Sequence, residues 1–273
     1  MNDPWELLEV RPRREFANPP IALAVAQVHF PERLSTQDPE VIARFHENIE
    51  KLFPETRQIS GFSFEFAVGQ PGDLQAGLSN IATPVIRQFH DVDQNWLSGL
   101  SPDNLTLECR KYEGFESFLI RFKLLVQALI DTVNPKSLRR LGLRYINEVR
   151  DGASPLPLVV NDELRGAQSN SALSNTLVTS HQIMQFVHGN TQVNLQHGLF
   201  PRGSTVASVS GSVPQDAFYL IDTDVVKGFP PPNDISFSLE SALSLLQELH
   251  DTASRIFRWS ISKPYEEFLG ESS

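Results

Sequence analysis

Asp222-Thr223-Asp224 is the most chemically suggestive triplet in this 273-residue chain. On a β-strand alternate residues share a face. The two carboxylates would then stand on the face that carries Phe218, Leu220 and Val226. Burying unpaired charge is costly, so carboxylates on an apolar face need partners. They would be either a divalent-metal or acid–base pair, or the acidic half of an ion pair with arginines or a loop cap. No third carboxylate or histidine stands at a telling distance, which favours the structural alternative.

Arg140 and Arg144 are the second candidate. They lie four apart on one face of a strand predicted over 139–150, preceded by Lys136 and Arg139. Guanidinium forks there could grip a phosphate or carboxylate with two parallel bonds. The competing reading is a solvated face paired with Glu108 or Glu148. Asn147 falls on the opposite, apolar side with Leu141, Leu143, Tyr145 and Val149, where a buried amide would lock a loop. An Arg–Asp link between the two halves of the chain would explain both oddities without any chemistry.

The seven histidines show no pairing at metal-ligand spacing. His197 shares a strand face with Val193, Leu195 and Leu199, and reads as a core-edge histidine held by one hydrogen bond in preference to a general base. Arg140, Arg144, Asn147, Asp222, Asp224 and His197 are therefore the candidate ligand-binding set, with no catalytic residue, metal or cofactor expected. Asp91-Val92-Asp93-Gln94-Asn95 begins like a calcium loop but has Trp96 where glycine is needed and Pro102 where the closing glutamate belongs. Ser260-Ile261-Ser262-Lys263 matches S-x-x-K, but at the end of a helix and with no K-T-G after it.

The elements that must hold these residues follow from periodicity. A strand is expected over 21–30. Asp38-Pro39 caps and starts a helix with Ile42, Phe45, Ile49 and Leu52 on its stripe, stopped by Pro54. Phe62, Phe64 and Phe66 alternate as a strand, followed by a loop over 71–80. Two short strands flank Ser101–Asn104. A helix runs over 115–133, ended by Asn134-Pro135, and precedes the arginine strand. Gly189-Asn190 joins a hairpin of 177–187 and 191–200. Further strands are expected over 204–210 and 217–227, then a long helix over 238–260 with a short segment at 265–269 behind it. Runs of adjacent strands favour antiparallel pairing, hence α+β: antiparallel sheets packed with three main helices in two closely associated lobes. The predicted divisions are an N-terminal arm over 1–17, a lobe over 18–150, and a strand meander plus long helix over 170–273. Strand–helix–strand recurs at 21–67 and 105–149, a weak pseudo-repeat.

Bulk properties narrow the function. Hydrophobic residues make up 40% and charged residues 21%, enough for a real core. The net charge of −10 and pI near 5.2 disfavour nucleic acid and anionic membrane surfaces as partners. Cys109 is the single cysteine, which rules out an internal disulfide. With no membrane span or signal-peptide pattern, a bacterial cytoplasm is the expected compartment.

Arg140-Leu-Gly-Leu-Arg-Tyr-Ile-Asn147 resembles the signature of a sporadically distributed, uncharacterised bacterial protein family. Pro19-Pro20 with His29-Phe30-Pro31, the block from Leu105 to Phe122, Leu220-Ile221-Asp222-Thr223-Asp224 and Leu249-His250 with Phe257 resemble its other motifs, over about 18–269. The resemblance implies an architecture, a bacterial source and an accessory or defence-related role. It implies no mechanism. The leading expectation is thus a non-enzymatic interaction protein that binds a protein partner or itself, anchored by Trp5, Trp96 and Trp259 as exposed aromatics. The alternatives are a small-molecule or nucleotide-binding protein, a hydrolase included, with a polar cleft between the lobes, and a nucleic-acid-binding regulator acting through 136–144.

Overall fold

The structure, a computed structural model of the chain, describes residues 4–8, 16–60, 85–150, 158–174, 176–204 and 216–270. In chain order they form β1 (Ile21–His29), α1 (Pro39–Ile49), β2 (Glu55–Ser60), β3 (Val85–His90), β4 (Trp96–Leu100), β5 (Asn104–Cys109), α2 (Phe115–Thr132), β6 (Ser137–Leu138) and β7 (Arg140–Val149). There follow α3 (Asp162–Arg165), α4 (Ser171–Ser174), β8 (Gln182–His188), β9 (Thr191–Phe200), β10 (Phe218–Gly228), β11 (Ile235–Ser236), α5 (Leu239–Ser260) and α6 (Lys263–Leu269).

Nine strands make one antiparallel sheet in the order β2-β3-β4-β5-β1-β7-β10-β9-β8. The fold is α+β, with the main helices α1, α2 and α5 on one side. α5 lies over β7 and β10, α2 packs beside α5, and α1 beside α2. The 18–150 stretch supplies β1 to β5 and β7, and 170–273 supplies β8, β9 and β10. They meet in one continuous pairing of β7 with β10, from Tyr219 opposite Val149 to Gly228 opposite Arg140. β1 sits between β5 and β7, antiparallel to both, so α2 carries the chain across it in a split strand–helix–strand unit.

Local chemistry explains the helix boundaries. Asp38 accepts from Glu40 N at 2.9 Å ahead of Pro39. Its buried stripe is Val41, Phe45 and Ile49, with Ile42 only partly covered. The expected stripe is thus one residue off at its start, with Val41 in the core and Ile42 at its edge. α5 opens on a capping box between Ser238 and Ser241, and buries Leu246, Leu249, Ala253, Ile256 and Phe257. The segment at 265–269 is the body of α6, capped by Ser262.

The expected strand at Phe62, Phe64 and Phe66 and the loop over 71–80 lie outside the described residues, as does nearly all of the strand expected over 204–210. β3 has no counterpart among the expected elements. Its Val85-Ile86-Arg87-Gln88-Phe89-His90 carries too mixed a pattern to stand out. Among the described residues, no helix is long and apolar enough to cross a membrane.

Strand alternation sorts the sheet into two faces. Ala24, Ala26, Leu141, Leu143, Tyr145, Ile221 and Val225 join the helices in the main core. Leu23, Val25, Ile146, Phe218 and Leu220 form a smaller apolar cluster on the opposite face.

Candidate functional site

The arginine strand and the Asp-x-Asp strand are neighbours, and they meet on the face away from the main helices. Arg144 lies opposite Asp224 in the register and reaches diagonally to Asp222. Nε donates to Oδ1 at 2.8 Å and Nη2 to Oδ2 at 2.5 Å. Asp222 is 2% exposed, so this is a desolvated, bidentate pair of the kind Arg geometry favours.

Asp224 is fully enclosed as well. Its Oδ2 accepts from Asn194 Nδ2 at 3.3 Å, while Oδ1 has no hydrogen-bond partner among the described residues. Burial drives its pKa up to about 6, and Arg144 only partly offsets that. Arg140 approaches His29, with Nη1 and Nε2 3.4 Å apart. A guanidinium can only donate, so His29 Nε2 must accept and the ring is neutral. Burial first, then Arg140, hold its pKa down to about 4.

The six candidate residues therefore do not converge. Arg140, Arg144, Asp222 and Asp224 occupy one face. Asn147 and His197 occupy the other. His197 is enclosed and makes one hydrogen bond, Nδ1 to Tyr219 Oη at 3.0 Å. Burial, then His181, lower its pKa to about 4. Asn147 locks a strand and not a loop: Nδ2 donates to Ile221 O across the β7–β10 pairing at 3.0 Å.

Asn147 also lines a cavity of about 220 Å³ between the sheet and α5. The floor is Tyr145, Asn147 and Thr223. The roof is His250, Ala253, Ser254, Phe257 and Arg258. These roof positions recur at three- and four-residue intervals, so one stripe of α5 faces the space. The β5–α2 connection forms one wall through Tyr112 and Phe115. Phe16 to Ile21 forms the other. The pairing of β1 with β7 slips between Ile21 and Leu23, opposite Asn147, a bulge of the kind that bends a strand beside a site.

Polar groups converge inside this largely aromatic shell. Tyr145 Oη lies 2.9 Å from His250 Nδ1 and 3.4 Å from Tyr112 Oη. The His250 ring stacks flat on Phe115, centroids 3.7 Å apart and planes 3° apart. Thr223 is 0% exposed, and its hydroxyl has no hydrogen-bond partner among the described residues. Arg258 pairs with Glu266 at 2.9 Å and lies over the Phe16 ring at 4.3 Å, so its charge is compensated from outside the cavity. Among the described residues no three His, Cys, Asp or Glu side chains are grouped to hold a metal ion.

The sequence reading missed Thr223, His250, Tyr112 and Phe115 as site residues. Thr223 was in view only as the spacer between two aspartates. The signal for His250 was its place on the α5 stripe with Phe257, and its partner Tyr145 comes from a strand 105 residues away. Two of the three aromatic anchors expected at an interface are buried, while Trp259 is half-buried. Trp5 is 7% and Trp96 5% exposed. Trp5 packs edge-on against Phe186, and Trp96 lies under the Arg121 guanidinium at 4.1 Å.

No protein-family model matches the chain, and no curated protein matches it.

Proposed function

We propose that this protein binds a small organic molecule in the cavity between α5 and the β7–β10 floor. The observation that carries the reading is the Thr223 hydroxyl. It is buried at the floor of a cavity and left without a partner among the described residues. Native interiors satisfy nearly all such groups, and an exception calls for an explanation such as a ligand or ordered water. The surroundings are those of a binding pocket: aromatic walls with a few convergent polar groups. A volume of about 220 Å³ is larger than the roughly 150 Å³ apolar cavity that accepts benzene, which sets the ligand at one ring with small substituents.

The segments bearing the bacterial-family resemblance support the same place. Tyr145 and Asn147 belong to the Arg140–Asn147 segment, Thr223 to the Leu220–Asp224 segment, and His250 and Phe257 to the C-terminal one, and all five line the cavity. The cleft originally expected between the arginines and aspartates receives less support, because Arg144 and Asp222 satisfy each other.

A thermal-shift screen of single-ring compounds on the wild type and on Ser254→Phe tests the proposal. Ser254 lines the roof, and a phenyl group there would fill the space. A ligand at a hundred times its Kd adds about 2.7 kcal/mol to stability. Compounds should therefore raise the wild-type melting temperature and leave that of a folded Ser254→Phe protein unchanged. Equal shifts in both proteins would place binding elsewhere.

A further inference from the structure

The two polar groups on the cavity floor leave hydrogen-bonding capacity open, and together they point to a kind of ligand. Asn147 has committed one of its two amide N–H groups to Ile221 O, and its carbonyl oxygen can accept from a ligand. Thr223 has a hydroxyl with no hydrogen-bond partner among the described residues, so it can donate. Ile221 lies opposite Asn147 in the register, and Thr223 is two residues further along the same face of β10. The two are diagonal neighbours, roughly 7–8 Å apart at the backbone. A group with its donor and acceptor on adjacent atoms can bridge such a pair, with one hydrogen bond of about 2.9 Å at each end.

We infer that the ligand is a single-ring heterocycle with an adjacent N–H and C=O, a lactam or cyclic-imide edge: the N–H donates to Asn147 Oδ1 and the C=O accepts from Thr223 Oγ1. The inference rests on the cavity being a binding site, as proposed above. The rest of the lining suits such a molecule. Phe16, Phe115 and Phe257 give flat apolar walls, Arg258 is paired with Glu266, and the other charged lining residue, Glu113, is exposed to solvent. The Tyr145–His250 hydrogen bond closes the floor beside Thr223, to which Tyr145 is directly paired in the register.

Three probes of similar shape test this by calorimetric titration: 2-pyridone, N-methyl-2-pyridone and toluene. The first has the adjacent donor and acceptor, the second lacks the donor, and the third lacks both. Wild-type protein should bind 2-pyridone about tenfold more tightly than either analogue, the loss expected when one buried partner goes unmet. In Thr223→Val, which keeps the shape and removes the hydroxyl, the preference for 2-pyridone over toluene should shrink by about the same factor. If toluene binds as tightly as 2-pyridone, the cavity is a binding site but the lactam edge is wrong. If 2-pyridone binds with no preference over its N-methyl analogue, the role of Asn147 falls. Binding of none of the three overturns the inference, and the broader screen on wild type and Ser254→Phe then decides the reading beneath it.

Discussion

Arg144 holds Asp222 through both arms of its guanidinium, at 2.8 and 2.5 Å, across the single pairing that joins the two halves of the sheet. This link ties residues 78 positions apart in the chain. Removing one partner from a desolvated pair leaves the other charged and enclosed. Asp222→Ala should therefore cost about 3–5 kcal/mol in urea unfolding. The double variant Arg144→Met with Asp222→Leu should recover most of that loss, since apolar replacement of a buried pair is often neutral. A double variant as damaged as the single one would mean that the pair holds more than itself.

Stability should rise with pH between about 4 and 6.5. His29 and His197 are both held near 4, against an ordinary 6.5. In that window the unfolded chain binds more protons than the native one, so the stability these residues allow is present above pH 6.5 and lost as pH falls through it. Asp224 acts with the opposite sign. Its native pKa is raised from 3.8 to about 6, so the native state binds the extra proton and stability falls as pH rises through that range. Asp224→Asn should steepen the net rise and stabilise the protein above pH 6. Urea midpoints at half-unit pH steps measure both slopes, and an unchanged slope in Asp224→Asn would count against the raised carboxyl.

Gly198 in β9 is required by a close crossing. A Cβ there would lie 1.9 Å from Ser180 O and 2.9 Å from His181 Cα, both backbone atoms that cannot swing aside. Ser180 is pinned in place, donating N–H to Leu199 O at 3.0 Å and accepting from Leu199 N through Oγ at 3.1 Å. Gly198→Ala should cost about 3 kcal/mol, the upper end for overpacking. By hydrogen exchange the loss should appear first in the amides of 177–182.

The cavity floor makes an opposed pair of predictions. Thr223→Val removes a buried hydroxyl that has no partner among the described residues and should stabilise the ligand-free protein by about 1 kcal/mol. Tyr145→Phe breaks the 2.9 Å bond to His250 and should destabilise it by about 1–2 kcal/mol. Thermal and urea unfolding of the two variants side by side tests both signs. A destabilised Thr223→Val would show that the hydroxyl already has a partner.

Much of the scaffold was legible because its signals are local. Asp38-Pro39, the Gly189-Asn190 turn and the span of α5 rest on signals within a few residues, and each stands where the sequence pattern put it. Strand alternation also placed Arg144 and Asp222 on facing sides of their strands, which is why their pairing could be foreseen as one of two outcomes. The cavity was not legible in the same way. Tyr145, Thr223 and His250 come from β7, β10 and α5, and only the order in which strands pair brings them together. Asn147 was noticed for being polar on an apolar face, the one local trace the cavity left. Thr223 left no such trace, since threonine is an ordinary strand residue.

The most direct test of the cavity reading is the set of intermolecular nuclear Overhauser contacts from a bound single-ring ligand to the protein's side chains. Contacts to the Thr223 methyl and the rings of Phe115, Tyr145, His250 and Phe257 are predicted. Contacts to Val25, Phe218 or Leu220, which lie on the opposite face of the sheet, would contradict the account.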